Sequence, residues 1–103
     1  MIEGSRGASY MAKRAHIIFF GDVNGTGYRF FIKQKAIELG LKGYCKFNKD
    51  KQIELEIEGK SNSIDEFLKF VEKGVSLQAN SNSFQVEIFN DLKGYITMES
   101  DIV

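Results

Sequence analysis

Apolar and polar positions along the chain follow the periods of strands and helices and divide it into successive elements. Residues 16–20 form a short apolar run that predicts a buried strand. The apolar positions that follow have helical spacing, and Gly40 is expected to end this first helix, because glycine readily adopts the left-handed conformation of a helix C-cap. The apolar stripe of the helix consists of Tyr28, Ile32, Ala36 and Leu39.

The middle of the chain predicts a hairpin of two strands. Residues 43–48 are the second strand, and in residues 53–58 apolar side chains alternate with glutamates, which is the period of a half-buried strand. Residues 49–51 between them have the length of a hairpin turn. The alternation predicts that one side of the third strand is polar and faces solvent. Its residues are Glu54, Glu56 and Glu58.

The remaining elements complete the order of a common fold. Residues 63–66 (Ser-Ile-Asp-Glu) have the sequence of a capping box, and the apolar stripe after them predicts a second helix that ends at Gly74. Residues 84–88 alternate as a fourth strand, and residues 95–98 predict a short fifth strand. The order strand–helix–strand–strand–helix–strand is typical of the ferredoxin-like α+β fold (βαββαβ), in which two helices cover one face of an antiparallel sheet.

Composition and charge restrict the class of protein. The 103 residues are 43% hydrophobic and 27% charged, with a formal net charge of zero, which predicts one globular domain. No apolar run reaches the ~20 residues needed to cross a bilayer, and the lone Cys45 excludes an internal disulfide. We therefore expect a cytoplasmic monomer without membrane contact. Residues 1–11 are polar and aperiodic and are predicted to be a cloning remnant or disordered, which leaves residues 12–103 as the domain.

Candidate chemistry is concentrated in residues 21–29, Gly-Asp-Val-Asn-Gly-Thr-Gly-Tyr-Arg, between the first strand and the first helix. Closely spaced glycines let the backbone turn its N–H groups inward, which makes a concavity suited to an anion. The start of the helix adds the positive end of its dipole, and Arg29 adds a planar charged fork that matches phosphate oxygens. On the loop alone, a plain strand-to-helix turn with a solvated arginine is equally compatible.

This segment resembles the loop of the acylphosphatase family, which usually reads Gly-x-Val-Gln-Gly-Val-Gly-Phe-Arg. The family continues with Leu-Gly-Leu-x-Gly, which residues 39–43 match. Its hairpin, Trp-Val-x-Asn-x-x-Asp-Gly-x-Val-Glu, aligns without gaps with residues 44–54, and its closing Glu-Gly with residues 58–59. The resemblance is specific from about residue 16 to residue 60 and rests beyond that on the order of elements.

The resemblance implies hydrolysis of acyl phosphates to a carboxylate and inorganic phosphate. In the family the arginine and the loop amides bind the phosphoryl group, and the hairpin asparagine orients the attacking water. The arginine corresponds to Arg29, whereas the asparagine position holds Phe47, and Lys51 replaces a turn glycine. Asn48 can orient water only if a bulge re-aims it, because adjacent strand residues point to opposite faces. The phosphate-binding amides correspond to Val23, Asn24, Gly25, Thr26, Gly27 and Tyr28.

The Phe47 replacement leaves two functional interpretations open. One is an acylphosphatase-type hydrolase, with full or weak turnover, which needs neither a metal nor a cofactor. The other is a non-catalytic module of the same fold that binds phosphate or another small anion, or a protein partner. We do not expect nucleic-acid binding, because the glutamates of the third strand stand where an RNA-binding sheet needs aromatic and basic residues. A covalent Cys45 phosphatase is disfavoured, because no phosphate-cradling loop surrounds that cysteine.

Overall fold

Five strands form one open sheet in the order β4-β1-β3-β2-β5. The computed structural model describes residues 11–20, 28–73 and 84–100. The predictions for residues 1–10, for loop residues 21–27 and for the end of the second helix at Gly74 therefore lie outside the described residues. The elements are β1 (Ala12–Phe19), α1 (Tyr28–Glu38), β2 (Lys42–Phe47), β3 (Ile53–Lys60), α2 (Ser61–Lys73), β4 (Phe84–Phe89) and β5 (Met98–Ser100).

The pairing of the strands confirms the ferredoxin-like prediction and corrects one part of it. β1 pairs antiparallel with β3 and β4, and β3 pairs antiparallel with β2. β5 runs parallel to β2, so the sheet is mixed and the prediction of a wholly antiparallel sheet is wrong at this strand. The reason is that the connection after β4 crosses the sheet at the end where β4 stops. β5 starts from that end and therefore runs in the direction opposite to β4 and parallel to β2.

Both helices pack on one face of the sheet, as predicted, and share one hydrophobic core with it. Alternate side chains of β1 and β3 point to this face, because successive residues of a strand point to opposite sides. The fully buried apolar residues of β1, β3 and the two helices are Ala15, Ile17, Phe19, Ile32, Ala36, Ile53, Leu55, Ile57, Ile64 and Phe67.

The C-terminus of α1 ends as predicted at Gly40. This glycine has a φ of 75°, and its N–H bonds to the Ile37 carbonyl at 3.0 Å. The Leu41 N–H bonds to the Ala36 carbonyl at 2.8 Å, which completes a Schellman motif. The motif turns the chain directly into β2, the strand that ends at the candidate site.

A segment of residues 90–97, here called the strap, crosses the face of the sheet that the helices leave open. The carboxylate of Glu58 accepts three strap N–H groups, from Lys93 at 2.7 Å and from Gly94 and Tyr95 at 2.9 Å each. Glu58 is only 4% exposed. A carboxylate that accepts several backbone N–H bonds is well compensated for burial, so Glu58 anchors the strap.

A buried arginine joins the strap to two strands. The Arg14 guanidinium donates to Glu56 Oε2 and, at 2.8 Å, to Asp91 Oδ1 of the strap, and it lies 4.2 Å from the centre of the Phe89 ring. Glu56 is 2% exposed. The prediction of a solvent-facing glutamate row is therefore wrong for Glu56 and Glu58, because the strap covers them.

Candidate functional site

Arg29 lies in the first turn of α1, at the end of the helix that follows the glycine-rich loop. No acidic side chain lies in this turn, so the positive end of the helix dipole and the guanidinium charge act in the same region. The predicted phosphate-binding residues at positions 23–27 lie outside the described residues. Tyr28 is the first residue of α1. The role of these residues in phosphate binding stays a prediction.

The structure brings Arg29 together with Phe47, the residue that the sequence resemblance aligns with the family asparagine. The guanidinium carbon Cζ of Arg29 is 4.1 Å from the centre of the Phe47 ring, which is a cation–π contact. Phe47 is the last residue of β2, pairs with Ile53 of β3 and packs against the hydrophobic core. The ring that contacts the arginine is therefore fixed by the sheet.

Asn48 closes the hairpin turn that follows Phe47. Its side-chain oxygen Oδ1 accepts the N–H groups of Asp50 and Gln52, each at 2.9 Å. Its Nδ2 donates to the side-chain oxygen of Gln52 at 3.1 Å. These bonds hold Asn48 in the turn, and its predicted role in orienting water stays a prediction.

Lys51, which the sequence resemblance aligns with a turn glycine, has a left-handed backbone conformation. Its φ is 63°, and its N–H bonds to the Asn48 carbonyl at 3.0 Å. The left-handed conformation favours glycine, because a Cβ atom crowds the backbone there. The hairpin thus contains a turn that favours glycine next to the candidate site, although a lysine occupies the position.

A second polar cluster lies on the strap side of the sheet, opposite Phe47. Glu54 Oε2 accepts the Tyr44 hydroxyl at 2.5 Å and lies 3.0 Å from His16 Nε2. Burial alone raises the pKa of Glu54, but the hydrogen bonds from Tyr44 and His16 outweigh it and lower the pKa below its usual range. Burial, followed by the contact with Glu54, raises the pKa of Tyr44 well above its usual range. The cluster ties three strands together and was not predicted, because strand pairing is not visible in the sequence.

Other candidate groups add no predicted residue to the site. Cys45 is 1% exposed within the core, which agrees with the predicted packing role. A groove of about 600 Å³ lies between β2, β5 and the strap and contains none of the predicted site residues.

Within the described ranges, no group of three or more His, Cys, Asp or Glu residues is placed to hold a metal. Neither helix of the described chain is long and apolar enough to span a membrane.

Comparison with known proteins identifies the family. The acylphosphatase family model matches residues 15–99. An acylphosphatase of Geobacillus kaustophilus is 37% identical over 62 residues, which are 60% of this chain and 66% of the relative. An acylphosphatase of Bacillus velezensis is 34% identical over 82 residues, which are 80% of this chain and 90% of the relative. The crystal structure of acylphosphatase from Bacillus subtilis superposes with a TM-score of 0.76 at 27% identity, covering 87% of this chain and 98% of that one.

The family match extends past the segment on which the sequence resemblance rested. It includes Arg29 and Phe47 and continues through α2, β4 and the strap. The chain spans about two thirds, 66%, of the length of the Geobacillus kaustophilus relative. The structural match covers nearly all of the solved acylphosphatase and shows the same fold. The predicted family and fold are thus confirmed, and the chain belongs to the acylphosphatase family of hydrolases.

Proposed function

We propose that this chain hydrolyses acyl phosphates, the mixed anhydrides of a carboxylic acid and phosphoric acid, to a carboxylate and inorganic phosphate. The observation that carries the proposal is the position of Arg29, which lies in the first turn of α1 and against Phe47 at the end of β2. Membership of the family and relatives named acylphosphatase support the same activity.

The proposed chemistry needs only binding and charge stabilisation from the protein. The amides of residues 23–28, the helix dipole and Arg29 hold the oxygens of the phosphoryl group, where negative charge is spread in the transition state. Water adds its oxygen to phosphorus while the bond from phosphorus to the acyl oxygen breaks. The carboxylate leaves with the bonding pair, the phosphate product keeps the hydroxyl group, and the second proton of the water passes to a phosphate oxygen or to solvent. A carboxylate is a good leaving group, so no nucleophilic side chain is required.

Water orientation is the step in which this chain departs from its family. A phenyl ring neither donates nor accepts the hydrogen bond that fixes a water, so Phe47 is unable to replace the asparagine. Asn48 remains the proposed substitute, although β2 and β3 pair one to one from Lys42 to Phe47 and no bulge in this stretch re-aims it. One of its two amide protons is given to Gln52, and its oxygen is used by the turn.

The activity is tested by following the ultraviolet absorbance of benzoyl phosphate with the wild type, Arg29→Ala and Lys69→Ala. Lys69→Ala is the matched control, because it removes one positive charge from an exposed position of α2. We expect Arg29→Ala to lower kcat/KM by about 100- to 1,000-fold, the usual effect of losing one transition-state donor. Equal rates in all three folded proteins, or no hydrolysis by the wild type, would contradict the proposal.

Two variants of Asn48 separate its part in the turn from a part in catalysis. Asn48→Asp keeps the oxygen that accepts the Asp50 and Gln52 N–H groups and removes the amide protons. If Asn48 orients water, this variant stays folded and loses kcat. Asn48→Ala loses the turn bonds as well, and its free energy of unfolding falls by ~1 kcal/mol. An Asn48→Asp variant with wild-type kcat would remove Asn48 from the mechanism.

The second candidate function is phosphate binding without turnover, which the same site favours through Phe47 and the engaged side chain of Asn48. This candidate predicts that inorganic phosphate binds to the wild type while benzoyl phosphate is not hydrolysed. It further predicts that Phe47→Asn, which restores the family residue, gains measurable hydrolysis. Calorimetry with inorganic phosphate, run beside the absorbance assay, distinguishes the two functions.

A further inference from the structure

We propose that Phe47 is a positioning residue whose ring holds Arg29 in the orientation that binds phosphate. The inference rests on the proposed phosphate site and assigns a role to the residue by which this chain departs from its family. The family asparagine acts on water, whereas Phe47 acts on the arginine. One substitution thus exchanges a group that orients the nucleophile for a group that orients the phosphate ligand.

The geometry of the contact supports this role. The guanidinium carbon lies 4.1 Å from the ring centre, well inside the range of a cation–π contact. A ring attracts the cation through its quadrupole and carries no net negative charge of its own, whereas a carboxylate at the same place would compete with the phosphate. Phe47 therefore restrains Arg29 without placing a competing negative charge beside it.

Phe47 is suited to this role because it is itself immobilised. Its backbone pairs with Ile53, and the turn bonds of Asn48 close the hairpin immediately after it. Its ring packs against the core. An arginine that is held in place before phosphate arrives loses less rotamer freedom on binding, and affinity rises accordingly. The effect belongs to binding, so it should appear in KM and in the dissociation constant of phosphate more than in kcat.

The test measures the dissociation constant of inorganic phosphate by calorimetry, together with KM and kcat for benzoyl phosphate. Phe47→Leu keeps an apolar side chain and removes the ring, and Phe47→Tyr keeps the ring. We expect Phe47→Leu to weaken phosphate binding about 5-fold and Phe47→Tyr to bind phosphate as tightly as the wild type. Phe70→Leu is the matched control, since Phe70 also packs against the core and lies 5.5 Å from a cation, Lys35. It should leave phosphate binding unchanged.

Two further measurements keep the test decisive if Phe47→Leu fails to fold. Replacement of Phe47 by fluorinated phenylalanines weakens the ring quadrupole with little change of shape, and phosphate affinity should fall stepwise with the number of fluorines. In an Arg29→Ala background, fluorination should have no further effect, because the partner of the ring is gone. Phosphate affinity that is independent of fluorination would overturn the inference.

The outcomes separate this inference from the proposed function. If the wild type hydrolyses benzoyl phosphate but changes to the Phe47 ring alter neither the phosphate affinity nor KM, the inference alone is overturned. Ring-dependent phosphate binding without hydrolysis would overturn the proposed hydrolase activity and support the inference. A wild type that neither binds phosphate nor hydrolyses benzoyl phosphate would overturn both.

Discussion

At the scale of single residues, the candidate site lies beside a strained turn. Within the described ranges, Lys51 is the only residue other than glycine with a positive φ, at 63°. The residue is exposed, so nothing in the core requires a lysine there. The turn is held by Asn48, which accepts the Lys51 N–H with its carbonyl oxygen. The backbone strain at Lys51 therefore lowers the stability of the hairpin that carries Phe47.

Replacing Lys51 by glycine should relieve this cost. We expect Lys51→Gly to raise the free energy of unfolding by ~1 kcal/mol, because glycine adopts a positive φ without a steric penalty. Lys49→Gly is the control, since Lys49 has no positive φ and should lose stability from the same change. Urea denaturation of both variants measures the difference. A loss of stability in Lys51→Gly would show that the turn is not strained at this residue.

The sequence could predict that Arg29 and Phe47 belong to one site, but not the contact between their side chains. The alignment with the family placed Arg29 and Phe47 in one site, and the structure brings them into contact. The contact itself depends on the rotamers of two side chains from different elements, which no local pattern records. The bonds of Asn48 were equally hidden, because a polar residue beside a turn is compatible with either a structural or a catalytic role.

At the scale of elements, β2 approaches β3 closely at Gly43. This glycine has a φ of 151°, and a Cβ atom added there would lie 1.8 Å from the Glu56 carbonyl oxygen. That separation is far below any real contact, so the strand pair has room only for glycine. The close approach fixes the path of β2, and with it the position of Phe47 at the end of the strand.

Two glycines of positive φ should respond differently to alanine. Gly43→Ala is expected to lower the free energy of unfolding by ~3 kcal/mol or more, because the added methyl group forces the backbones of β2 and β3 apart. Gly40→Ala also places a side chain at a positive φ, but no atom lies within 4 Å of the added Cβ, so this change should cost only ~1 kcal/mol. Thermal or urea unfolding compares the two. Equal losses would mean that the clash at Gly43 is relieved by a small shift.

Element types were predicted from the sequence more accurately than element limits. β1 begins at Ala12, four residues before the predicted run, because it includes charged residues such as Arg14 that a pattern of polarity assigns to solvent. α2 begins at Ser61, so the predicted capping box is wrong, since Ser63 already lies within the helix. In both cases tertiary contacts extended an element beyond its local signal.

At the scale of the whole molecule, acidic groups connect the strap and the strands. The hydrogen bond from Arg14 lowers the pKa of Asp91 below its usual value of 3.8. The pKa of Glu54 lies below its usual value of 4.5, because the hydrogen bonds from Tyr44 and His16 outweigh the effect of burial. A carboxyl group with a lowered pKa in the folded state stabilises that state above its usual pKa, and the contribution is lost as the pH falls through the folded value.

Stability should therefore decline on acidification, beginning near pH 4.5, the usual pKa of the Glu54 side chain. Urea midpoints measured between pH 6 and pH 3 test this expectation. Glu54→Gln and Asp91→Asn should each make the decline shallower, because each removes one group whose proton uptake favours the unfolded chain. Glu72→Gln, an exposed position on α2, is the control. Identical pH profiles for all four proteins would contradict the assignment of these groups.

The strap was the largest feature that the sequence left unpredicted. Residues 90–94 have no strand or helix period, and the glutamates beneath the strap alternate as if they faced water. Residues 95–97 belong to the predicted fifth strand, but β5 begins only at Met98, so this prediction is wrong for residues 95–97. A pattern of polarity records which side of a strand is polar but not what covers that side. The order of the strands, which forces the chain to cross the sheet before β5, was likewise not readable from the sequence.

The strap has a consequence for the kinetics of folding. Glu58 bonds to residues 35, 36 and 37 positions later in the chain. We expect these contacts to form after the β1–β3 and β2–β3 pairs, because the strap lies over the face of the sheet that these pairs build. Contacts that form after the transition state slow unfolding and leave the folding rate unchanged. Glu58→Gln should therefore accelerate unfolding in stopped-flow measurements without slowing refolding. A slower refolding limb would place the strap in the folding nucleus. On the expected result, the strap determines how long the native protein persists and not how quickly it forms.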